Sequence, residues 1–291
     1  MSIASYGTLL DLLRGVRWPT RRVVAGSLPG MHRSRLRGTS PEFTEYRPYR
    51  QGDDPRRVDW KLLARSDRAF IRLADDRSIV PTLILVDASA SMAWPVETRE
   101  KWVQACRLAV GLAAVAHAGG DPVGLLVPTA HGVARVAPRT RRGVVQEVAA
   151  ALDAVRPEGN PALADALTGV APAARVVVVS DFLGDAPALL RAARECAAAG
   201  AEVHAVHVVA DAELAPSPVA VLAVDPESAA TRRPLTTATR DGYLRAFAEW
   251  REALARDWLG AGAGYTLVTT GEPADRAVRR VTGPVREGDR S

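Results

Sequence analysis

Two short segments of this chain carry oxygen donors at a spacing suited to a hard cation: Asp87-Ala-Ser89-Ala-Ser91 and Ser180-Asp181. In the first, a carboxylate at i and hydroxyls at i+2 and i+4 can turn inward together, and Mg²⁺ takes such oxygens at about 2.0–2.1 Å with waters completing its octahedron. Asp181 would add a second carboxylate, directly or through water. The same atoms have a plainer use, capping loop amides and tying a sheet edge together without any ion. A third use is nucleophilic, with Ser89 or Ser91 acting in a hydrolase. The motifs for that chemistry are missing: the sequence has no Gly-x-Ser-x-Gly elbow, no phosphate-binding loop ending in Gly-Lys-Ser/Thr, and no Gly-x-Gly-x-x-Gly after a strand. Its five histidines do not cluster. His204 and His207 lie three apart on a predicted strand, so they point to opposite faces and cannot share a metal. No enzymatic activity is expected.

Both oxygen-rich segments follow apolar runs, 80–86 and 175–179, of the kind buried on both faces of a sheet. The pattern predicts further strands at 123–127, 133–137, 203–209 and 265–268. It predicts helices at 98–118 (with Thr98 as N-cap), 140–155, 161–170, 186–199, 235–258 and 274–281. Residues 219–224 read as an edge strand or a loop excursion. This alternation implies an α/β fold, a doubly wound and mainly parallel sheet, in which ligands gather at the carboxyl ends of the strands. Asp87 and Asp181 fall there. The stripe Tyr243, Phe247, Trp250, Leu254 and Trp258 reads as core.

The chain divides by composition into a basic N-terminal arm (1–38), a small β-rich or irregular subdomain (39–79), the α/β domain (80–283) and a tail (284–291). With 291 residues, 47% hydrophobic and 24% charged, it has the balance of a globular protein and not of a disordered or collagen-like one. The longest uncharged central stretch, 108–120, is too short to span a bilayer, and the N-terminus lacks the basic region of a leader, so a cytoplasmic location is expected. Cys106 and Cys196 show no metal spacing and read as buried thiols. The net charge of +5 is unevenly placed, because residues 1–80 hold 16 Lys+Arg against 9 Asp+Glu. Arg14, Arg17, Arg21, Arg22, Arg33, Arg35 and Arg37 in the arm offer an alternative role, binding nucleic acid or an anionic surface. Only residues 61 and 101 are lysines, however, so the arginine excess also reads as compositional bias, and nucleic acid is not favoured.

The Asp87, Ser89 and Ser91 triplet resembles the metal-ion-dependent adhesion site of von Willebrand factor A domains, with the form Asp-x-Ser-x-Ser. That resemblance implies an Asp from a third loop, matched by Asp181, and a Thr from a second loop. The second loop here reads Glu158-Gly159-Asn160-Pro161, so Asn160 is the candidate donor in place of Thr. Residues 42–65 carry a further resemblance. Arg47-Pro-Tyr49, Gly52-Asp53-Asp54, Arg56, Val58-Asp59-Trp60-Lys61 and Ala64-Arg65 are similar to the block that marks the family named domain of unknown function 58, which joins it to a von Willebrand A-like domain. In the block, Arg47, Asp53, Arg56, Asp59 and Arg65 with Tyr49 and Trp60 form either a structural lattice of ion pairs or a partner-binding surface.

These resemblances imply a protein-interaction module in which Mg²⁺, or alternatively Mn²⁺, offers an open position to an acidic side chain of a partner. For this family they imply a MoxR-type AAA+ ATPase as partner, along with other proteins of the same operon, with this chain as adaptor or co-chaperone. Many members carry membrane helices at the N-terminus. This sequence has none there, and no transmembrane segment is expected.

Overall fold

The computed structural model describes residues 3–20, 29–33, 43–50, 58–66, 68–74, 77–172, 174–216, 221–224 and 232–283. The chain forms two compact units, one of Met1–Trp18 with Pro81–Ser291 and one of Pro19–Val80. The larger begins with a 3-10 turn and a short helix α1 (Gly7–Leu12). The smaller holds β1 (Pro29–Arg33), β2 (Phe43–Pro48), helix α2 (Trp60–Ser66), β3 (Phe70–Ala74) and β4 (Arg77–Ser78), with β1 paired to β4 and β2 to β3, both antiparallel. Asp59 starts α2 by accepting the Leu62 amide on Oδ1 at 3.0 Å, as an N-cap carboxylate does.

The larger unit then alternates β5 (Thr82–Val86), α3 (Glu100–Ala118), β6 (Val123–Thr129), β7 (Gly132–Arg139), α4 (Val144–Ala154), β8 (Arg175–Ser180), α5 (Ala186–Ala198), β9 (Glu202–Val209) and α6 (Asp211–Leu214). An antiparallel hairpin, β10 (Val221–Val224) with β11 (Arg232–Leu235), precedes α7 (Thr237–Gly260), β12 (Gly264–Thr269) and α8 (Ala274–Thr282). Six strands form one sheet in the order β12-β9-β8-β5-β6-β7, parallel throughout except for β7 at the edge. The expected doubly wound α/β sheet is therefore present.

Period-two alternation explains the two cores. Ile84, Val86, Val177, Val179, Val206 and Val208 face α3, α4 and α8, whereas Leu85, Val176, Val178 and Ala205 face α5 and α7. Each such Val, Leu or Ile side chain, fully withdrawn from water, favours folding by about 1.5–3 kcal/mol before entropy is counted.

Four expectations are corrected. The arm does not extend to residue 38 as one piece, since Tyr6, Leu13 and Trp18 are buried in the first core, and the boundary falls after Trp18. Arg175, itself buried, fixes that segment: it stacks on the Trp18 ring at 4.3 Å and donates to the Trp18 carbonyl at 3.3 Å. Helix α3 starts at Glu100 rather than at Thr98, because Arg99 takes a left-handed φ of 53°. The predicted helix at 161–170 shrinks to a 3-10 turn, Ala164–Leu167, with Gly169 closing it at a φ of 77°. Of the two readings of 219–224, the edge strand of the large sheet is overturned: 221–224 pair in the separate hairpin β10–β11. Among the described residues no helix is long and apolar enough to cross a membrane.

Candidate functional site

The chain leaves β5 to one side, builds β6 and β7, then returns to β8 on the other side of β5. The loops after β5 and β8 therefore diverge, and a crevice opens at the switch point between them. The Asp87 amide donates to the Val179 carbonyl at 2.9 Å, prolonging the β5–β8 pairing by one bond, so both loops start at a fixed register.

Asp87 is the hub. Its Oδ1 accepts the Ser89 amide at 2.8 Å and its Oδ2 accepts the Ser180 hydroxyl at 2.5 Å. Ser180 in turn accepts the Phe182 amide at 2.8 Å, which helps Phe182 hold a left-handed φ of 56°. Ser89 and Ser91 place their hydroxyl oxygens 3.0 Å apart. A third loop is stitched on: the Ala90 amide donates to the Gly159 carbonyl at 2.8 Å and the Glu158 amide to the Ala88 carbonyl at 2.9 Å. Gly159 has a φ of 67°, a conformation that strains other residues, and it delivers Asn160 to the rim.

A cavity of about 290 Å³ lies between the three loops, walled by Asp87, Ser89, Asn160, Ser180, Phe182 and the start of α5. Of the sequence candidates, Asp87, Ser89 and Asn160 thus share one cavity, with Ser91 bonded to Ser89. Asp181 is turned elsewhere. Its Oδ2 accepts from the Lys101 ammonium at 2.7 Å and its Oδ1 from the Leu183 amide at 3.2 Å. Lys101 also donates to Glu213 at 2.9 Å, and Glu213 closes the first turn of α6 by accepting the Ala210 amide at 2.8 Å. Asp87, Ser89, Ser91, Lys101 and Asp181 are all at most 3% exposed.

The electrostatics follow from burial. Burial first, then the Asp181 charge, push the Asp87 carboxyl from 3.8 up to about 6, against the hydrogen bonds from Ser180 and Ser89. Burial opposes the charge on Lys101, but Asp181 and Glu213 outweigh it and hold the ammonium above its ordinary value. Burial drives His207 from 6.5 down to about 3, so its ring, bonded to the Tyr265 hydroxyl at 2.6 Å, is neutral. His204 bonds Thr266 instead, as the opposite-face reading of the pair requires.

A carboxylic acid with a raised folded-state pKa contributes stability that is complete below its ordinary pKa and lost as the pH rises through the folded value. For Asp87 that window runs from about pH 4 to about pH 6. In EDTA at pH 7.5, Asp87→Asn is expected to be more stable than wild type by roughly 2–3 kcal/mol, with the gain vanishing near pH 4. Urea denaturation at both pH values measures it, and equal midpoint differences would contradict the raised value.

The residues present fit a hard cation in chemical type. Asp87 is a buried carboxylate with no ion-pair partner among the described residues. The hydroxyl pair is spaced like neighbouring ligands of an octahedron with bonds of about 2.0–2.1 Å. No group of three His, Cys, Asp or Glu that could hold a metal occurs among the described residues, so such a site rests on one carboxylate and neutral oxygens.

In the smaller unit, Asp59 caps α2, Trp60 is 63% exposed and Tyr49 and Arg65 are exposed. Arg47 stands opposite Ile71 in the β2–β3 ladder. Asp53 and Arg56 lie outside the described residues, as do Arg21, Arg22, Arg35 and Arg37 of the arm. Sequence reasoning missed Lys101, Glu213 and the role of Ser180. The only available signal was the rarity of lysine in an arginine-rich chain.

The sheet order, its one antiparallel edge strand and the Asp-x-Ser-x-Ser loop after the first sheet strand define a von Willebrand factor A-like protein. The model of the family described as "Protein of unknown function DUF58" matches residues 45–253, and the chain belongs to that family. It is 31% identical over 285 residues to the uncharacterized protein Rv1480 of Mycobacterium tuberculosis (strain ATCC 25618 / H37Rv), covering 90% of this chain and 85% of that protein. Among solved structures it is similar to the conserved hypothetical protein BatB from Bacteroides thetaiotaomicron, with a TM-score of 0.44 and 18% identity over 69% of this chain and 96% of that one. The SpRpn10 VWA domain matches with a TM-score of 0.41 and 13% identity over 72% of this chain and 100% of that domain.

Proposed function

We propose that this chain is a non-enzymatic interaction module that docks an acidic side chain of a partner protein at the Asp87 crevice, through a divalent cation held by Asp87, Ser89 and Ser91. Asn160 stands at the rim where a fourth oxygen is needed. The observation that supports this reading most strongly is the buried Asp87 carboxylate, held by neutral donors among the described residues and opening on the cavity. A bound Mg²⁺ or Mn²⁺ would supply an open coordination position for an oxygen anion. The chain's own part is to keep the two hydroxyls adjacent, to hold Asp87 in one rotamer and to present the cavity on a rigid strand end. As the family resemblance implies, the partner is a MoxR-type AAA+ ATPase and this chain its adaptor or co-chaperone. Ser89 and Ser91 bond each other rather than a histidine, which favours docking over hydrolysis.

Mg²⁺ titration in a thermal-shift assay tests the reading. A ligand at a hundred times its Kd stabilises the native state by about 2.7 kcal/mol, so wild type should shift upward and Asp87→Ala should not. Pull-down of a MoxR-type AAA+ ATPase should then depend on Mg²⁺ and on Asp87. Capture retained by Asp87→Ala would reject the cation-centred docking.

A further inference from the structure

We infer that Lys101 is a positioning residue for the crevice, which withholds Asp181 from the cation and leaves Asp87 as its one anionic ligand. The inference rests on the reading of Asp87, Ser89 and Ser91 as a cation site. Its ground is the contrast between two neighbouring buried carboxylates. Among the described residues Asp87 is met by neutral donors, the Ser180 hydroxyl and the amide and side chain of Ser89, and it borders the cavity. Asp181 has one oxygen on the Lys101 ammonium at 2.7 Å and the other on the Leu183 amide at 3.2 Å. The lysine is anchored from three directions: Asp181, Glu213 at 2.9 Å, and the Trp94 ring 5.9 Å from its nitrogen. Lys101 and Asp181 side chains are 1% and 2% exposed, so water does not compete for the pair. An ammonium so placed has a definite electrostatic consequence. Two free carboxylates would neutralise a dication and leave nothing to attract a third, whereas one carboxylate leaves the ion a residual positive charge for an incoming anionic group. Lys101 therefore favours the recruitment of a partner's carboxylate at some cost in affinity for the ion itself.

Mn²⁺ titration followed by electron paramagnetic resonance, with the folded state verified by circular dichroism, separates the possibilities. Wild type should bind and Asp87→Asn should not. Asp181→Asn, which leaves Lys101 paired with Glu213, should weaken binding by less than about tenfold, below the 10- to 100-fold typical of residues that orient a metal ligand. In a Lys101→Met background Mn²⁺ should bind more tightly than to wild type, and adding Asp181→Asn should now cost more than about tenfold, because Asp181 has been released to the ion. Should Lys101→Met fail to fold, Asp181→Asn in the wild-type background still decides. Loss of binding in Asp181→Asn equal to that in Asp87→Asn would overturn the role of Lys101 while sustaining the cation site. A folded wild type that binds no Mn²⁺ would overturn both.

Discussion

Lys101→Met is expected to lower the unfolding free energy by about 3–5 kcal/mol, the cost of leaving a buried charge without its partner. The side chain is 1% exposed and bridges Asp181 and Glu213, which belong to the loop after β8 and to α6. Methionine fills most of the volume, so the loss is electrostatic and not a cavity. Its sign is therefore reversible: adding Asp181→Asn and Glu213→Gln to Lys101→Met removes the stranded charges and should recover most of the stability, a strongly non-additive outcome. Urea midpoints of the single and triple variants provide the measurement. Additive losses would mean that the three residues do not act as a unit.

The second large effect is at Trp258, where alanine should cost about 3–5 kcal/mol. The indole is 0% exposed near the end of α7 and packs against the Phe182 ring with centroids 5.2 Å apart. Phe182 also meets the neutral His207 ring at 5.5 Å in an edge-on contact. These rings hold a left-handed Phe182 that isolated chains would rarely adopt at that position. Trp258→Ala should therefore also blunt the Mg²⁺-induced thermal shift, although the residue lies outside the crevice. Trp258→Phe, keeping part of the ring contact, should recover about half of the loss by urea titration. An unaltered Mg²⁺ response in folded Trp258→Ala would show that the rings do not support the loop.

The large sheet is legible because its inner strands β5, β6, β8 and β9 are apolar on both faces, and because oxygen-bearing residues follow the apolar runs of β5 and β8. Asp87, Ser89 and Ser91 were legible for a related reason: their spacing is local and the strand end fixes where they lie. Lys101 was not legible, since its partners are 80 and 112 residues away and nothing in α3's own sequence names them. The pairing of Asp181 with Lys101 is not legible either, because a strand-end carboxylate has the same local signature whether it faces an ion or an ammonium. Helix bounds differ from expectation where backbone conformation overrides propensity, at the start of α3 beside Arg99 and at the end of the 3-10 turn before Gly169. In the stripe from Tyr243 to Trp258, Leu254 and Trp258 are core as the spacing implies, whereas Tyr243, Phe247 and Trp250 form a stacked ladder that is only partly covered.

The clasp of Arg175 on Trp18 bears on how the protein is made. Trp18 leaves the ribosome 157 residues before the guanidinium that will grip it, and the Leu12 carbonyl precedes its donor, Arg279, by 267. At a translation rate of about 5–20 residues per second, the Arg175 clasp cannot close until roughly 10–30 s after Trp18 is made. Helix α3, against which α1 packs, is synthesised well before Arg175, so the apolar face of that segment can be covered before the clasp closes.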